Sequence, residues 1–219
     1  MTDARPVLVW DLPTRLFHWL AAALVLAAYV TLRLDWMAWH ADAGEALLAV
    51  VLFRLAWGVV GSGSARFARF LAFPRAAARH LAHLFRREPD TLPGHNPAGG
   101  WMVVLLLLLM LGEALTGIVT NNDVADDGPL TDVMPAWLAN LVSDLHGWLW
   151  QALLAAVTLH IAAVAVFAVA KRQNLVRPML TGRKRLPVWV SAPRMAPPFR
   201  AILVFGGSVA LAALLADRL

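Results

Sequence analysis

Seven histidines carry most of the chemistry available to this chain: His18, His40, His80, His83, His95, His146 and His160. No cysteine accompanies them. Thiolate metal sites, a disulfide framework and thioether attachment of a cofactor are thereby excluded. Four of the seven, His18, His40, His146 and His160, lie in or at the ends of long apolar runs. An ionisable side chain inside a bilayer is costly, and its presence points to a functional site. His146 and His160 are 14 residues apart on one run. That spacing is close to four helical turns, so both project from nearly the same face, separated by a rise of about 21 Å.

The elements that must position these residues follow from composition. Of 219 residues, 60% are hydrophobic and only 15% are charged, and the mean hydropathy is +0.64. A soluble chain averages roughly 45–50% apolar and about 25% charged residues, so a soluble globule and a disordered chain are both excluded. A bilayer core takes about 20 mostly apolar residues in a helix. Segment one covers Leu16 to Leu32. Segment two lies between Glu45 and Arg66, with Arg54 inside it. Segment three runs from near Trp101 to about Thr120 and contains Glu113. Segment four lies between Asp144 and Lys171. A shorter fifth lies between Arg200 and Asp217, with a helix lying in the interface as its alternative. Segment one reads as a retained span rather than a cleaved leader. Asp3 interrupts its basic start, its apolar run is long for a leader, and Asp11-Leu12-Pro13 opens like a helix.

Charge gives the orientation. The net charge of +5 and a pI near 10.9 invite a nucleic-acid reading, but the positions of the charges argue for a membrane. Arg66, Arg69, Arg75, Arg79, Arg86 and Arg87 follow segment two. Lys171, Arg172, Arg177, Arg183, Lys184, Arg185, Arg194 and Arg200 follow segment four. Together they are 14 of the 19 basic residues. Asp123, Asp126, Asp127, Asp132 and Asp144 instead lie between segments three and four. Basic loops face the cytoplasm. The N-terminus is therefore expected inside and, with five spans, the C-terminus outside. The basic residues serve topology and lipid headgroups, and no nucleic-acid partner is implied.

With that orientation the four histidines sort into two levels, His18 with His160 inside and His40 with His146 outside. Two histidines on facing helices at one depth match bis-imidazole ligation of a haem iron. Zinc would want a third or fourth ligand. Small residues lie near the ligands: Gly147, Gly44 and Ala21 to Ala23. They read either as room for a macrocycle or as tight helix packing. For the depths of His18 and His160 to agree, the fourth helix should be long and reach toward Arg177-Pro178.

Several stretches then resemble one family. Val9-Trp10-Asp11-Leu12-Pro13-Thr14-Arg15-Leu16-Phe17-His18-Trp19, Phe53-Arg54-Leu55-Ala56-Trp57-Gly58, Gly94-His95-Asn96-Pro97 and Asn174-Leu175-Val176-Arg177-Pro178-Met179 resemble the bacterial cytochrome b561 / nickel-iron-hydrogenase-type cytochrome b family. The resemblance covers about residues 7–185. It implies a four-helix membrane cytochrome with two b-type haems that exchanges electrons with the quinone pool. It also implies ligation of one haem by His18 and His160 and of the other by His40 and His146, in agreement with the depth argument.

The expected protein is thus an all-α integral membrane protein. Residues 1–185 form a four-helix di-haem domain, and residues 186–219 add an extension with a fifth span at about 200–217. Its expected function is electron transfer between quinone and a periplasmic partner such as a cytochrome c or a hydrogenase, in the bacterial inner membrane, as a homodimer or a subunit of a larger complex. One alternative is a superoxide:quinone oxidoreductase, against which the acidic outer loops argue mildly. The other is a non-redox anchor or transporter. Arg54 reads either as a haem-propionate partner or as an arginine snorkelling to the interface. Glu113 serves a proton or quinone role or accepts a hydrogen bond from a neighbouring helix. His95 docks or caps the start of segment three, with a quinone contact as the alternative. His80 and His83 read as part of a solvated or lipid-facing basic helix. Trp36, Trp39, Trp137, Trp148 and Trp150 read as interface anchors.

Overall fold

The computed structural model describes residues 4–83, 90–120 and 135–218. Its elements are β1 (Ala4–Leu8), α1 (Leu12–Arg33), α2 (Met37–Val60), α3 (Phe67–Phe70), α4 (Pro74–Ala82), α5 (Pro97–Gly117), α6 (Ala136–Ala170), α7 (Val176–Thr181), β2 (Arg183–Pro187) and α8 (Pro198–Arg218). Helices α1, α2, α5, α6 and α8 are each long and apolar enough to cross a membrane. The fifth segment therefore has the length of a span.

Local signals explain where the spans begin. Asp11 accepts the Thr14 N–H at 2.8 Å and caps α1. Asn96 accepts the Gly99 N–H at 2.7 Å and caps α5, with Pro97 as its first residue. The cap is thus Asn96 rather than His95. Helix α2 begins at Met37 and takes in His40, Asp42 and Glu45, earlier than the charges suggest.

Helix α6 corrects one expectation. It is long, at 35 residues, or about 52 Å against a hydrocarbon core of about 30 Å. The extra length lies at its start, where the helix begins at Ala136 and includes an exposed Asp144. It ends at Ala170 and does not reach Arg177-Pro178. Arg172 turns left-handed there, with φ 53°, and Asn174 accepts the Arg177 N–H at 2.8 Å to open the separate helix α7.

An antiparallel ribbon joins β1 to β2, pairing Ala4 with Pro187 and Leu8 with Arg183. It adds a small sheet to the otherwise helical chain. The sequence hides it, because Arg183-Lys184-Arg185 reads as charge rather than as a strand. Gly182 makes the turn into β2 at φ 77°. A Cβ there would lie 2.7 Å from the Trp10 carbonyl, so glycine is required both for the conformation and for the close approach. Its own carbonyl accepts the Val9 and Trp10 N–H groups.

The chain divides into two compact units. Unit one is Met1–Leu16, Ala56–Leu105 and Ala156–Ala201; unit two is Phe17–Leu55, Leu106–Ala155 and Ile202–Leu219. In unit one, Val7, Val9, Trp10 and Leu186 form a buried core with Met179 and Val190 packed on it. The Trp57 indole, 1% exposed, donates to Asp11 Oδ2 at 3.0 Å, which ties the start of α1 to the end of α2. In unit two, Leu48, Ala49, Ala114, Ile118 and Ala212 cluster. Alanines on α2, α5 and α8 let these three helices approach closely. Phe205 of α8 meets Phe53 of α2 edge-on at 5.9 Å. Helix α8 is therefore an integral part of unit two.

Candidate haem-binding site

The site lies in unit two and is built from α1, α2, α5 and α6. A tight turn through Leu34, Asp35 (φ 58°) and Trp36 reverses the chain between α1 and α2. It brings His40, in the first turn of α2, back against α1, where its Nδ1 lies 2.8 Å from the Ala28 carbonyl. A carbonyl only accepts, so His40 Nδ1 carries the hydrogen and Nε2 keeps its lone pair.

His146 of α6 is held the same way by different groups. Its Nδ1 lies 2.9 Å from Thr116 Oγ1 and 3.1 Å from Glu113 Oε2. Glu113 and Thr116 are three apart on α5 and so share a face. The single Thr116 hydroxyl hydrogen is committed to the Gly112 carbonyl at 2.7 Å. Toward His146 the threonine therefore accepts, as the carboxylate does. His146 Nδ1 carries the hydrogen, and its Nε2 also remains a lone-pair donor.

The two imidazoles face each other with ring centres 6.4 Å apart and planes at 90°. Two imidazoles bonded to one metal from opposite sides, each at about 2 Å, place their ring centres a little over about 6 Å apart. The separation therefore suits one metal ion between two Nε2 atoms. No group of three or more histidine, aspartate, glutamate or cysteine side chains able to hold a metal occurs among the described residues. A zinc-type centre wants that many ligands, whereas a haem iron wants two. A Cβ added at Gly44 or Gly147 would meet nothing within 4 Å, so there is open space beside these two glycines. These residues fit a haem with two axial histidines. Glu113 and Thr116 against His146, and the Ala28 carbonyl against His40, are contacts of the kind that fix ligating histidines in metal sites.

The remaining predicted residues fall as follows. His18 of α1 meets Trp19 edge-on at 4.9 Å. His160 lies on α6, and it and His146 are equidistant from the two ends of that helix. His18 belongs to unit two and His160 to unit one. Arg54 is 2% exposed, with its guanidinium 5.9 Å from the centre of the Phe17 ring, whereas a snorkelling arginine exposes its charge. His95 packs between Trp10 at 4.6 Å and Phe70 at 4.7 Å, a docking contact ahead of α5. His80 stacks on Phe167 at 5.9 Å, so its ring is packed rather than fully solvated. Trp36, Trp39, Trp137 and Trp148 are exposed, and Trp150 stacks on Tyr29 at 5.5 Å. Arg86, Arg87, Asp123, Asp126, Asp127 and Asp132 lie outside the described residues. Sequence reasoning missed Thr116 and the Ala28 carbonyl. The one available signal was Thr116 on the same face as Glu113.

The sequence profile of prokaryotic cytochrome b561 matches residues 9–182. Among curated proteins the chain is similar to three described as a probable Ni/Fe-hydrogenase B-type cytochrome subunit. The protein of Bradyrhizobium diazoefficiens is 25% identical, covering 83% of this chain and 87% of the relative. That of Azotobacter chroococcum is 24% identical, covering 80% and 87%. That of Rhizobium leguminosarum bv. viciae is 21% identical, covering 83% and 90%. No solved structure matches. Five helices of spanning length, a histidine pair suited to a haem iron and a profile match over most of the chain lead to one conclusion: the chain belongs to the prokaryotic cytochrome b561 family, multi-pass membrane proteins of electron transfer that carry b-type haem.

Proposed function

We propose that this protein moves electrons between the quinone pool and a periplasmic redox partner, using two b-type haems each held by a histidine pair. The observation that carries the proposal is the facing pair His40 and His146, at 6.4 Å with both Nδ1 atoms committed to acceptors. Haem b, when bound, supplies a one-electron couple; the protein supplies ligands, orientation and a dry slot. His40 and His146 hold the periplasmic-side haem. The Ala28 carbonyl, Thr116 and Glu113 would hold the two rings by their Nδ1 atoms and leave the Nε2 atoms free to bind it.

The assignment of His18 and His160 to a cytoplasmic-side haem rests on the sequence and the family resemblance. Arg54 is the proposed partner of a haem propionate, supported by its burial on α2. Glu113, the only acidic or basic residue of α5, is proposed first to position His146 and second to handle a proton. His95 is proposed to dock α5, with contact to a quinone as the second role. Residues 1–185 form the proposed haem domain and 186–219 its extension. The distribution of arginine and lysine supports an N-terminus in the cytoplasm and a C-terminus in the periplasm, in the bacterial inner membrane. The relatives' names favour assembly into a larger complex, with a hydrogenase as one class of partner.

The test is a reduced-minus-oxidised spectrum of purified protein, with haem counted per chain, followed by anaerobic addition of a quinol. Two low-spin b-type haems that quinol reduces are expected. A chain with one haem or none, or haems that no quinol reduces, would contradict the proposal.

A further inference from the structure

Helix α6 ends at Ala170, and the segment after it is rich in arginine and lysine. In unit one these side chains are gathered rather than scattered. Arg172, Arg177, Arg183, Lys184 and Arg185 line one cavity of about 740 Å³. Asp90 is the only carboxylate among the described residues that line it. Lys184 neutralises that carboxylate at 2.6 Å and also donates to the Leu92 carbonyl at 2.9 Å. Four guanidinium groups therefore border a cavity with no second carboxylate among the described residues that line it. Like charges gathered in this way repel, and an anion placed among them relieves the repulsion. The forked guanidinium donors match the paired oxygens of a phosphate.

The surroundings favour a lipid over a free ion. Helix α7, which brings Arg177 to the cavity, exposes Val176 and Leu180, and the segment after β2 exposes Val188 and Trp189. The cavity follows directly on the end of α6. Exposed tryptophan is typical of the headgroup level of a membrane. Cations beside apolar side chains suit a phosphate headgroup with its acyl chains, whereas a free phosphate would use the cations alone. We propose that this cavity binds the phosphate headgroup of an anionic membrane lipid. The proposal does not depend on the haem assignment.

The test titrates the purified full chain in detergent with phosphatidylglycerol and with phosphatidylcholine, reading bound lipid by native mass spectrometry. Phosphatidylglycerol should bind at least about ten-fold more tightly, and the preference should shrink with added salt. The triple variant Arg172→Gln, Arg177→Gln, Arg183→Gln should lose about a hundred-fold in affinity, roughly five-fold per cation. The matching triple change to lysine should keep most of the binding. Arg75→Gln with Arg79→Gln, on α4, should leave it unchanged. If the glutamine triple fails to fold, Arg183→Gln alone carries the test, with a loss of roughly five-fold. Undiminished binding in the glutamine variants, or an equal loss in the α4 variant, would overturn the proposal. So would inorganic phosphate displacing the lipid at comparable concentration, which would reassign the cavity to a free anion.

Discussion

His95 and His146 are the same residue type near opposite ends of α5, and their surroundings differ in kind. In unit one, His95 is enclosed between the rings of Trp10 and Phe70 at 4.6 and 4.7 Å. In unit two, His146 faces another imidazole across 6.4 Å, with Nδ1 committed to Thr116 and Glu113. The first ring is packed between two aromatic rings. The second has one nitrogen fixed and lies at a centre-to-centre distance from its partner that suits a metal between them. In the proposed function a ligand histidine is marked by a committed Nδ1 and a second imidazole at that distance.

The largest effects should come from removing ligands. His146→Ala and His160→Ala should each abolish one haem, and the two losses should differ in spectrum; the double change should abolish both. Haem counted per chain checks this, and a full complement in either single variant would break the contrast with His95. Next in size is the group behind the ligand. Glu113→Leu removes the carboxylate beside His146 and should weaken haem retention by about 10- to 100-fold, read as the rate of haem transfer to an apo-acceptor. Glu113→Gln, which keeps an acceptor oxygen, should lose much less. If both behave alike, Glu113 acts through packing and not through the hydrogen bond.

The structural side of the comparison should respond in stability instead. Trp57→Phe leaves Asp11 Oδ2 without its indole donor, inside a region where Asp11 is 7% exposed. It should cost about 1–3 kcal/mol in thermal unfolding while the haem spectrum stays unchanged. The smallest effect on haem belongs to His95→Phe, which keeps a planar ring between Trp10 and Phe70. It should keep every haem. Loss of a haem there would erase the distinction between the two histidines.

Much of this was legible in the sequence, for physical reasons. Apolar runs of spanning length can be read directly, and the helical repeat places His146 and His160 on one face. Charge asymmetry then grouped His40 with His146 by depth, and the structure brings those two rings to 6.4 Å of each other, edge to face. Other features depended on contacts that no periodicity reports. Thr116 is an ordinary helix residue until α6 brings His146 against it. The Ala28 carbonyl is a backbone atom, invisible in residue identity. Arg183-Lys184-Arg185 pairs as a strand only because Ala4–Leu8 lies alongside it. The end of α6 at Ala170 depends on the left-handed turn at Arg172, a conformation that arginine does not advertise. Helix α8 lies outside the stretch that resembles the family, yet Ala212 and Phe205 join it to the core of unit two.

The central claim is that His40 and His146 ligate the same iron. The most direct measurement is haem per chain in His40→Ala, in His146→Ala and in the double variant, each checked for a folded, monodisperse state. The account predicts one remaining haem in all three, with identical spectra. Two haems in either single variant, or none in the folded double variant when each single variant keeps one, would contradict it.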